Sequence, residues 1–319
     1  MPKMHAAALI AQIEAHGFKS RSVEVGTEGD YLPADVDWNN KDIQHLNHVH
    51  AWANDVTAIV LEDLQATVSF QKVLGITCPV VIVHYDAQPD HQAHFFTLGP
   101  YTFVTDIEFI RVSPTRTRVI TTYTVLAKRV AMLAFPVIRW LLRRNQVQLM
   151  SEDVPMRERR GVLRSWGYTF KGDEGETRDI RDSINIHRDN VVPPPPDGSE
   201  APGFDAVEVP VDSIGEGSWT MVGRDDHLGV KLTRDGDRIL AFGRMCPHEG
   251  ADLDEIDCVD DQLKCPWHGR KLAPLAVIDL DGSEREATSG EHRITREGDN
   301  LVISVDPSGS DSLRSAASP

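Results

Sequence analysis

The sequence has few cysteines, no long apolar run and a deficit of basic charge. Four cysteines among 319 residues are too few for a disulfide framework. The most apolar helical segment, residues 130–142, is too short to span a bilayer and contains Pro136 and Arg139, so we predict no membrane span. With 33 basic and 49 acidic residues, the formal charge is −16. This charge argues against a nucleic-acid partner, whose phosphates would be repelled.

The N-terminal residues and the proline content suggest how the chain is organised. MPKMHAAALIAQIEAHGF is typical of a short amphipathic helix rather than a signal peptide, so we expect a cytoplasmic protein. The run VVPPPPDGSEAPG predicts an extended linker at residues 191–204. We therefore expect a first domain at residues 1–190, a second at residues 205–306, and a disordered polar tail at residues 307–319.

Hydrophobic patterning favours an α+β first domain and a small all-β second domain. Alternating apolar segments predict antiparallel strands at VTAIVLE, ATVSFQKV, PVVIVHY, AHFFTLG, YTFVTDIEFIRV and RVITTYTVL. A helical pattern from about residue 127 to residue 165, with a kink at Pro136, supplies the apolar face that covers this sheet. We expect residues among 81–109 to line a pocket on its inner face. Short strands with Asp/Gly turns follow the linker.

Two cysteines and two histidines of the second domain form a regular pattern. CPHEG contains Cys246 and His248, and CPWHG contains Cys265 and His268. Two thiolates and two imidazoles fit a tetrahedral zinc ion. They also fit a [2Fe–2S] cluster with the cysteines on one iron and the histidines on the other. The spacing by itself leaves both alternatives open.

The residues around these ligands closely resemble the two cluster-binding loops of Rieske proteins. The resemblance implies a [2Fe–2S] cluster bound by Cys246, His248, Cys265 and His268. Respiratory Rieske proteins carry a further cysteine in each loop, whereas Gly250 and Trp267 occupy neighbouring positions here. The loops therefore resemble the oxygenase and ferredoxin branch. We expect Cys258, between the loops, to be a half-buried thiol and not a ligand.

A second motif lies in DWNNKDIQHLNHVHAW. Asn39, Asp42, His45 and His50 form the pattern N-x2-D-x2-H-x4-H, which resembles the mononuclear-iron motif of Rieske non-haem iron oxygenases. The resemblance implies Fe(II) bound by both histidines, with Asp42 passing electrons from the cluster. Residues five apart diverge by about 140° on a regular helix, so we predict a π-type bulge or a helix end between the histidines. The alternative is a polar helix surface that happens to be rich in histidine.

A mononuclear iron site of this type also needs one carboxylate. In the oxygenase family, that carboxylate is an aspartate on the long C-terminal helix of the catalytic domain. LMSEDVPMRERRG offers Asp153, with Glu152 as the fallback ligand. The alternative is an ordinary acidic surface pair that forms helix salt bridges with Arg157, Arg159 and Arg160.

The resemblance extends over most of the chain, with the domain order reversed. It implies a helix-grip, START-like catalytic domain followed by the Rieske domain, and a ring-shaped homotrimer. The implied enzyme is a Rieske mono- or dioxygenase that hydroxylates or desaturates an apolar small molecule, such as an aromatic one. It would use O2 and electrons from a ferredoxin or an NAD(P)H-dependent flavin reductase. The alternative is a Rieske electron-transfer protein fused to a START-like ligand-binding domain without mononuclear iron.

Overall fold

The computed structural model describes residues 6–50, 53–61, 64–73, 76–88, 91–171, 185–194, 204–224, 228–280, 286–289 and 292–305. The chain forms two compact units, Met1–Val162 with Gly172–Ile186 and Leu163–Lys171 with His187–Pro319. Residues 163–171 and 187–190, which we expected in the first domain, thus group with the second unit. Most of the predicted linker, residues 195–203, and the predicted tail at 307–319 lie outside the described residues.

The first unit is built on one antiparallel sheet and a long helix. Its helices are α1 (Ala6–Ala15), α2 (Pro33–Lys41), α3 (Leu46–Val49) and α4 (Phe135–Ser165), which ends in the second unit. Its strands are β1 (Lys19–Gly29), β2 (Ala53–Leu61), β3 (Leu64–Val73), β4 (Ile76–Gln88), β5 (His91–Leu98), β6 (Tyr101–Arg111) and β7 (Thr117–Ala127). They are ordered β1-β7-β6-β5-β4-β3-β2. All six predicted strands of this domain are present, and β1 joins them at the edge beside β7.

The start of helix α4 packs on the sheet. Met132, in the 3-10 turn that precedes it, and Phe135 are buried against Val23, Phe103 and Val125 of the sheet. The helix begins at Phe135 rather than near residue 127, so Pro136 lies in its first turn. A proline in the first turn interrupts no hydrogen bond within the helix, so this position gives no reason for the predicted kink.

The second unit is all-β apart from the end of α4 and a short 3-10 turn. Its first strands are β8 (Thr169–Phe170), β9 (Val191–Val192), β10 (Phe204–Pro210), β11 (Thr220–Arg224), β12 (Leu228–Asp235) and β13 (Arg238–Gly243). The others are β14 (Cys258–Val259), β15 (Gln262–Lys264), β16 (Lys271–Leu272), β17 (Ala276–Asp279), β18 (Glu286–Ser289), β19 (His292–Glu297) and β20 (Asn300–Val305). Two four-stranded sheets, β10-β20-β19-β18 and β11-β12-β13-β17, enclose an apolar core. The small sheet β14-β15-β16 includes the segment between the two Cys/His loops.

The predicted fold class is therefore confirmed: an antiparallel sheet with a long helix, followed by a small all-β domain. No helix in the described part of the chain is long and apolar enough to cross a membrane.

Candidate metal centres

A single helical turn separates His45 from His50 and leaves their side chains next to each other. His45 precedes the one-turn helix α3 and has helical backbone angles, whereas His50 follows it in an extended conformation. The backbone thus leaves the helix before the fifth residue, which is the helix end expected from the spacing. His45 and His50 are buried, while His48, between them, is exposed.

Asp153 of α4 completes a compact triangle of donor atoms. His45 Nε2 lies 3.1 Å from His50 Nε2, and Asp153 Oδ1 lies 3.5 Å and 3.2 Å from these two nitrogens. Donors bound at about 2.0–2.2 Å to one metal are about 2.8–3.6 Å apart, depending on the coordination angle. All three side chains are buried. The donor set fits one metal ion, and two imidazoles with one carboxylate are the set typical of non-haem iron.

The environment of Asp153 keeps its carboxylate ionised. Burial by itself would raise the pKa of Asp153, but hydrogen bonds with His45 and His50 and the charge of Arg157 hold it well below its usual value. Arg157 Nη2 lies 3.4 Å from Asp153 Oδ2, so the other oxygen, Oδ1, faces the imidazoles. Arg157 is itself 1% exposed and donates from Nε to Asn39 Oδ1 at 2.8 Å. It therefore links the start of the histidine motif to the candidate carboxylate.

Glu152 is not a member of the triangle and contacts the outer nitrogen of His50. Its Oε2 atom is 2.5 Å from His50 Nδ1, the ring nitrogen that faces away from Asp153. Burial disfavours the charged imidazole, yet the two carboxylates Asp153 and Glu152 together raise the pKa of His50. A carboxylate on Nδ1 fixes the ring so that Nε2 is left for a metal. Asp153 thus belongs to the triangle, whereas Glu152, the predicted fallback ligand, contacts the other nitrogen of His50.

Asp42 lies beside the other imidazole. Its carboxylate is 1% exposed, and Oδ2 lies 3.9 Å from His45 Nδ1. That separation is too long for a direct hydrogen bond but short enough for strong electrostatic contact.

A cavity of about 530 Å³ lies in the first unit, and its described lining does not include His45, His50 or Asp153. Ile82, Phe96, Ile107 and other residues of the sheet's inner face line one side, and α4 lines the other. Arg157, which contacts Asp153, is part of the wall. The volume is within the usual range for a small-molecule site.

The two Cys/His loops of the second unit have the same pattern of backbone hydrogen bonds. Cys246 N donates to Ala251 O and Cys265 N donates to Arg270 O, both at 2.8 Å. Within the loops, Gly250 N and Gly269 N return to the carbonyls of Cys246 and Cys265 at 2.9 and 2.8 Å. Both glycines have positive φ, 84° and 65°, which explains why the final residue of each loop is glycine.

The loops bring the four predicted cluster ligands together in pairs. His248 Nδ1 lies 3.1 Å from His268 Nδ1, and all four side chains are at most 3% exposed. Contacts with the Cys246 sulfur and the His268 imidazole hold the pKa of the Cys265 thiol below its usual value, despite its burial. A Rieske-type [2Fe–2S] cluster requires two thiolates for one iron and two imidazoles for the other. The loops supply one pair of each kind. Cys258 is half-buried, and no disulfide joins the four cysteines.

One residue that the sequence did not point to supports the first loop. Asn190 donates from its backbone N–H to the carbonyls of Pro247 and His248, each at 3.1 Å. Its side-chain amide donates to Glu249 Oε1 at 2.8 Å. Asn190 is distant in sequence from the loop, and no local pattern would have identified it.

Comparison with known protein families identifies the second unit. The Rieske [2Fe-2S] domain family matches residues 207–278, which include all four predicted ligands. The second unit therefore contains a Rieske [2Fe–2S] domain, and the zinc alternative is set aside. No curated protein matches the chain.

Several solved structures are similar to less than half of the chain. The Zhui aromatase/cyclase from a Streptomyces species is 16% identical with a TM-score of 0.39, covering 44% of this chain and 96% of that one. A START superfamily protein from Mycobacterium smegmatis is 10% identical with a TM-score of 0.36, covering 43% and 97% of the two chains. Norcoclaurine synthase from Thalictrum flavum is 10% identical with a TM-score of 0.35, covering 43% and 92%.

Proposed function

We propose that this chain is a Rieske-type oxygenase that uses O2 and external electrons to oxidise an apolar small molecule. The observation that carries the proposal is the donor triangle of His45, His50 and Asp153, with edges of 3.1 to 3.5 Å, in a chain that also has a Rieske domain. The Rieske domain carries single electrons. An iron ion bound by the triangle would receive these electrons for the activation of O2.

Each surrounding residue has a distinct part in this proposal. Ferrous iron held by the triangle would supply the activation of O2, and a three-donor set leaves coordination positions open. Glu152 holds the Nδ1 proton of His50, and Arg157 holds one oxygen of Asp153. The apolar wall of the cavity would hold the carbon skeleton of the substrate, and Arg157 connects this wall to Asp153.

The proposal includes the electron source and the assembly. Electrons would come from a ferredoxin or an NAD(P)H-dependent flavin reductase. In a homotrimer, the cluster of one subunit would serve the iron of its neighbour through Asp42. If one oxygen atom enters a C–H bond, two electrons and two protons convert the other atom to water. If both atoms enter the substrate as two hydroxyl groups, the two electrons and two protons remain in the dihydroxylated product and no water forms from O2.

The experiment that tests the proposal is an iron and acid-labile sulfide determination under anaerobic conditions, combined with EPR of the Rieske cluster. Wild type is compared with the double variant His45→Ala/His50→Ala. The matched control is His48→Ala, since His48 is exposed on the same helical turn. We expect about one iron more than a [2Fe–2S] cluster provides in wild type and in the control. The double variant should lose that iron while its Rieske signal is unchanged.

The second candidate is an electron-transfer protein with a ligand-binding domain. The observation that favours it is the cavity of about 530 Å³, which can hold a small molecule without any metal. This candidate predicts the iron of the [2Fe–2S] cluster and no more, both in wild type and in the double variant. The same iron determination therefore distinguishes the two functions.

A further inference from the structure

A row of polar side chains crosses the inner face of the sheet in the first unit. Its members are directly opposite one another on successive strands: Gln65 on β3, His84 on β4, His94 on β5, Thr105 on β6 and Tyr123 on β7. Directly paired residues of antiparallel strands project to the same face. An inner face that packs against a helix is normally apolar, so five consecutive polar residues there need an explanation.

Most of the hydrogen-bonding capacity of this row is not used by the described residues. Two described contacts involve the row's side chains: Tyr123, at one end, donates to Gln146 Oε1 at 2.5 Å, and His84 Nε2 lies 3.2 Å from Thr67 Oγ1. Gln65 is fully buried, yet neither of its side-chain amide atoms has a partner in the described part of the chain. The same holds for His84 Nδ1 and His94 Nε2. Buried polar atoms without partners are costly and are rarely left so in the functional state of a protein.

The row forms part of the wall of the cavity. His94, Thr105 and Tyr123 all line it, beside the apolar side chains of Ile82 and Phe96. Two other polar residues of the wall, Arg157 and Asn40, already have partners. Arg157 is held by Asn39 and Asp153, and Asn40 donates to Gln92.

The two histidines of the row are in van der Waals contact and uncharged. Their ring centroids are 4.2 Å apart. Burial lowers the pKa of His94 to about 4, and burial together with His94 lowers the pKa of His84 well below its usual value. A neutral imidazole offers one donor and one acceptor, which suits a hydroxyl or a carbonyl better than a carboxylate or a phosphate.

We propose that His94 and Thr105 recognise an oxygen-bearing edge of the substrate, and that the substrate is a neutral, mainly apolar molecule with at least one hydroxyl or carbonyl group on that edge. His84 and Gln65 continue the same row behind His94. The row thus orients the substrate within the cavity, and the apolar wall formed by Ile82 and Phe96 holds its carbon skeleton. This inference rests on the proposed function only in naming the bound molecule a substrate.

The test uses three small aromatic probes that differ in their number of hydroxyl groups: naphthoresorcinol, α-naphthol and α-methylnaphthalene. Their affinities for the purified full-length holoprotein are measured by ligand fluorescence titration. We expect α-naphthol to bind about three- to tenfold more tightly than the nearly isosteric α-methylnaphthalene, the worth of one neutral hydrogen bond. Naphthoresorcinol should bind at least as tightly as α-naphthol. Equal affinity for α-naphthol and α-methylnaphthalene in wild type overturns the inference.

Two matched variants test whether the preference for α-naphthol depends on the polar row. Thr105→Val and Thr121→Val remove a hydroxyl from the same cavity wall with almost no change of shape, and both threonines are buried. Only Thr105 belongs to the row. Thr105→Val should reduce the preference for α-naphthol, and Thr121→Val should not. Equal losses in both variants would also overturn the inference.

A third variant, His94→Phe, should abolish the preference for α-naphthol and leave binding of α-methylnaphthalene unchanged or tighter. If His94→Phe does not fold, the threonine pair decides the question. Iron content is measured on the same samples. A hydroxyl preference without the additional iron supports the inference and contradicts the oxygenase function. The additional iron without a hydroxyl preference supports the oxygenase function and overturns the inference.

Discussion

Glu152 Oε2 lies 2.5 Å from His50 Nδ1, on the side of the ring opposite the candidate iron ligand Asp153. Two adjacent residues of one helix thus contact the two nitrogens of one imidazole. A metal bound at Nε2 would depend on Glu152 for the orientation and basicity of His50. Adjacent acidic residues in the sequence look equivalent, yet their contacts give them different roles.

Replacing Glu152 by glutamine should weaken the mononuclear site without removing a ligand. We expect about a 10- to 100-fold loss of Fe(II) affinity, because the hydrogen bond that orients His50 is weakened. The measurement is Fe(II) titration of protein depleted of the additional iron, with the Rieske EPR signal as a check on the cluster. Glu158→Gln, on the same helix, is the control and should bind Fe(II) like wild type. Unchanged affinity in Glu152→Gln would contradict the positioning role.

Replacing Asp42 by asparagine should separate metal binding from electron transfer. Asp42 is buried 3.9 Å from His45 and is not a member of the donor triangle, so both metal centres should be retained. We expect reoxidation of the reduced cluster by O2 to slow by about 10- to 100-fold. Stopped-flow absorbance of the Rieske cluster measures this rate without knowledge of the substrate. An Asp42→Asn protein with full iron content and the wild-type rate would rule out Asp42 as the link.

Replacing Gly250 by alanine should destabilise the first cluster loop. Gly250 has φ +84°, and an added Cβ would lie 2.3 Å from Leu163 Cδ1. Gly298→Ala is the matched control, because Gly298 has φ +59° with nothing within 4 Å of the added Cβ. The control should lose only about 1–2 kcal/mol, the cost of a left-handed alanine. We expect a lower Tm and a weaker Rieske signal in Gly250→Ala than in Gly298→Ala, and equal values would contradict the close packing against Leu163.

The pair of neutral histidines, His84 and His94, should make the first unit sensitive to acid. The pKa of His94 is about 4 in the folded protein, against an ordinary value of 6.5 for an exposed histidine, so the unfolded chain binds the extra proton between these values. The free energy of unfolding should therefore fall as the pH decreases from 6.5 towards 4, by up to about 1.4 kcal/mol per pH unit from this residue.

The comparison of Tm between wild type and His94→Phe over this pH range isolates the contribution of His94. Loss of the cluster in acid affects both proteins alike, so the difference between their Tm values is the informative quantity. That difference should shift in favour of His94→Phe as the pH falls. A constant difference would show that His94 is not neutral in the folded protein.

The strands and the ligand loops were predictable because their signals are local. Alternation of apolar and polar residues predicts a strand from a few neighbours, and all six strands predicted in the first unit are present. The loops CPHEG and CPWHG are short and contiguous, so their resemblance to Rieske loops, which implies the four ligands, is visible in the local sequence. The start of α4 was misplaced because the segment before Phe135 is apolar enough to be helical, and Pro136 is compatible with a kink as well as with a first turn.

Only the tertiary structure decided which side chains converge. The sequence left Asp153 and Glu152 as alternatives because adjacent residues on a helix differ by about 100° in direction, and the sheet and α3 determine which direction faces the histidines. Arg157 looked like a surface partner for acidic neighbours, yet it is buried between Asn39 and Asp153. The polar row from Gln65 to Tyr123 depends on the register of five strands. Local sequence therefore determined the elements and the candidate ligands, and long-range packing decided which of them share a site.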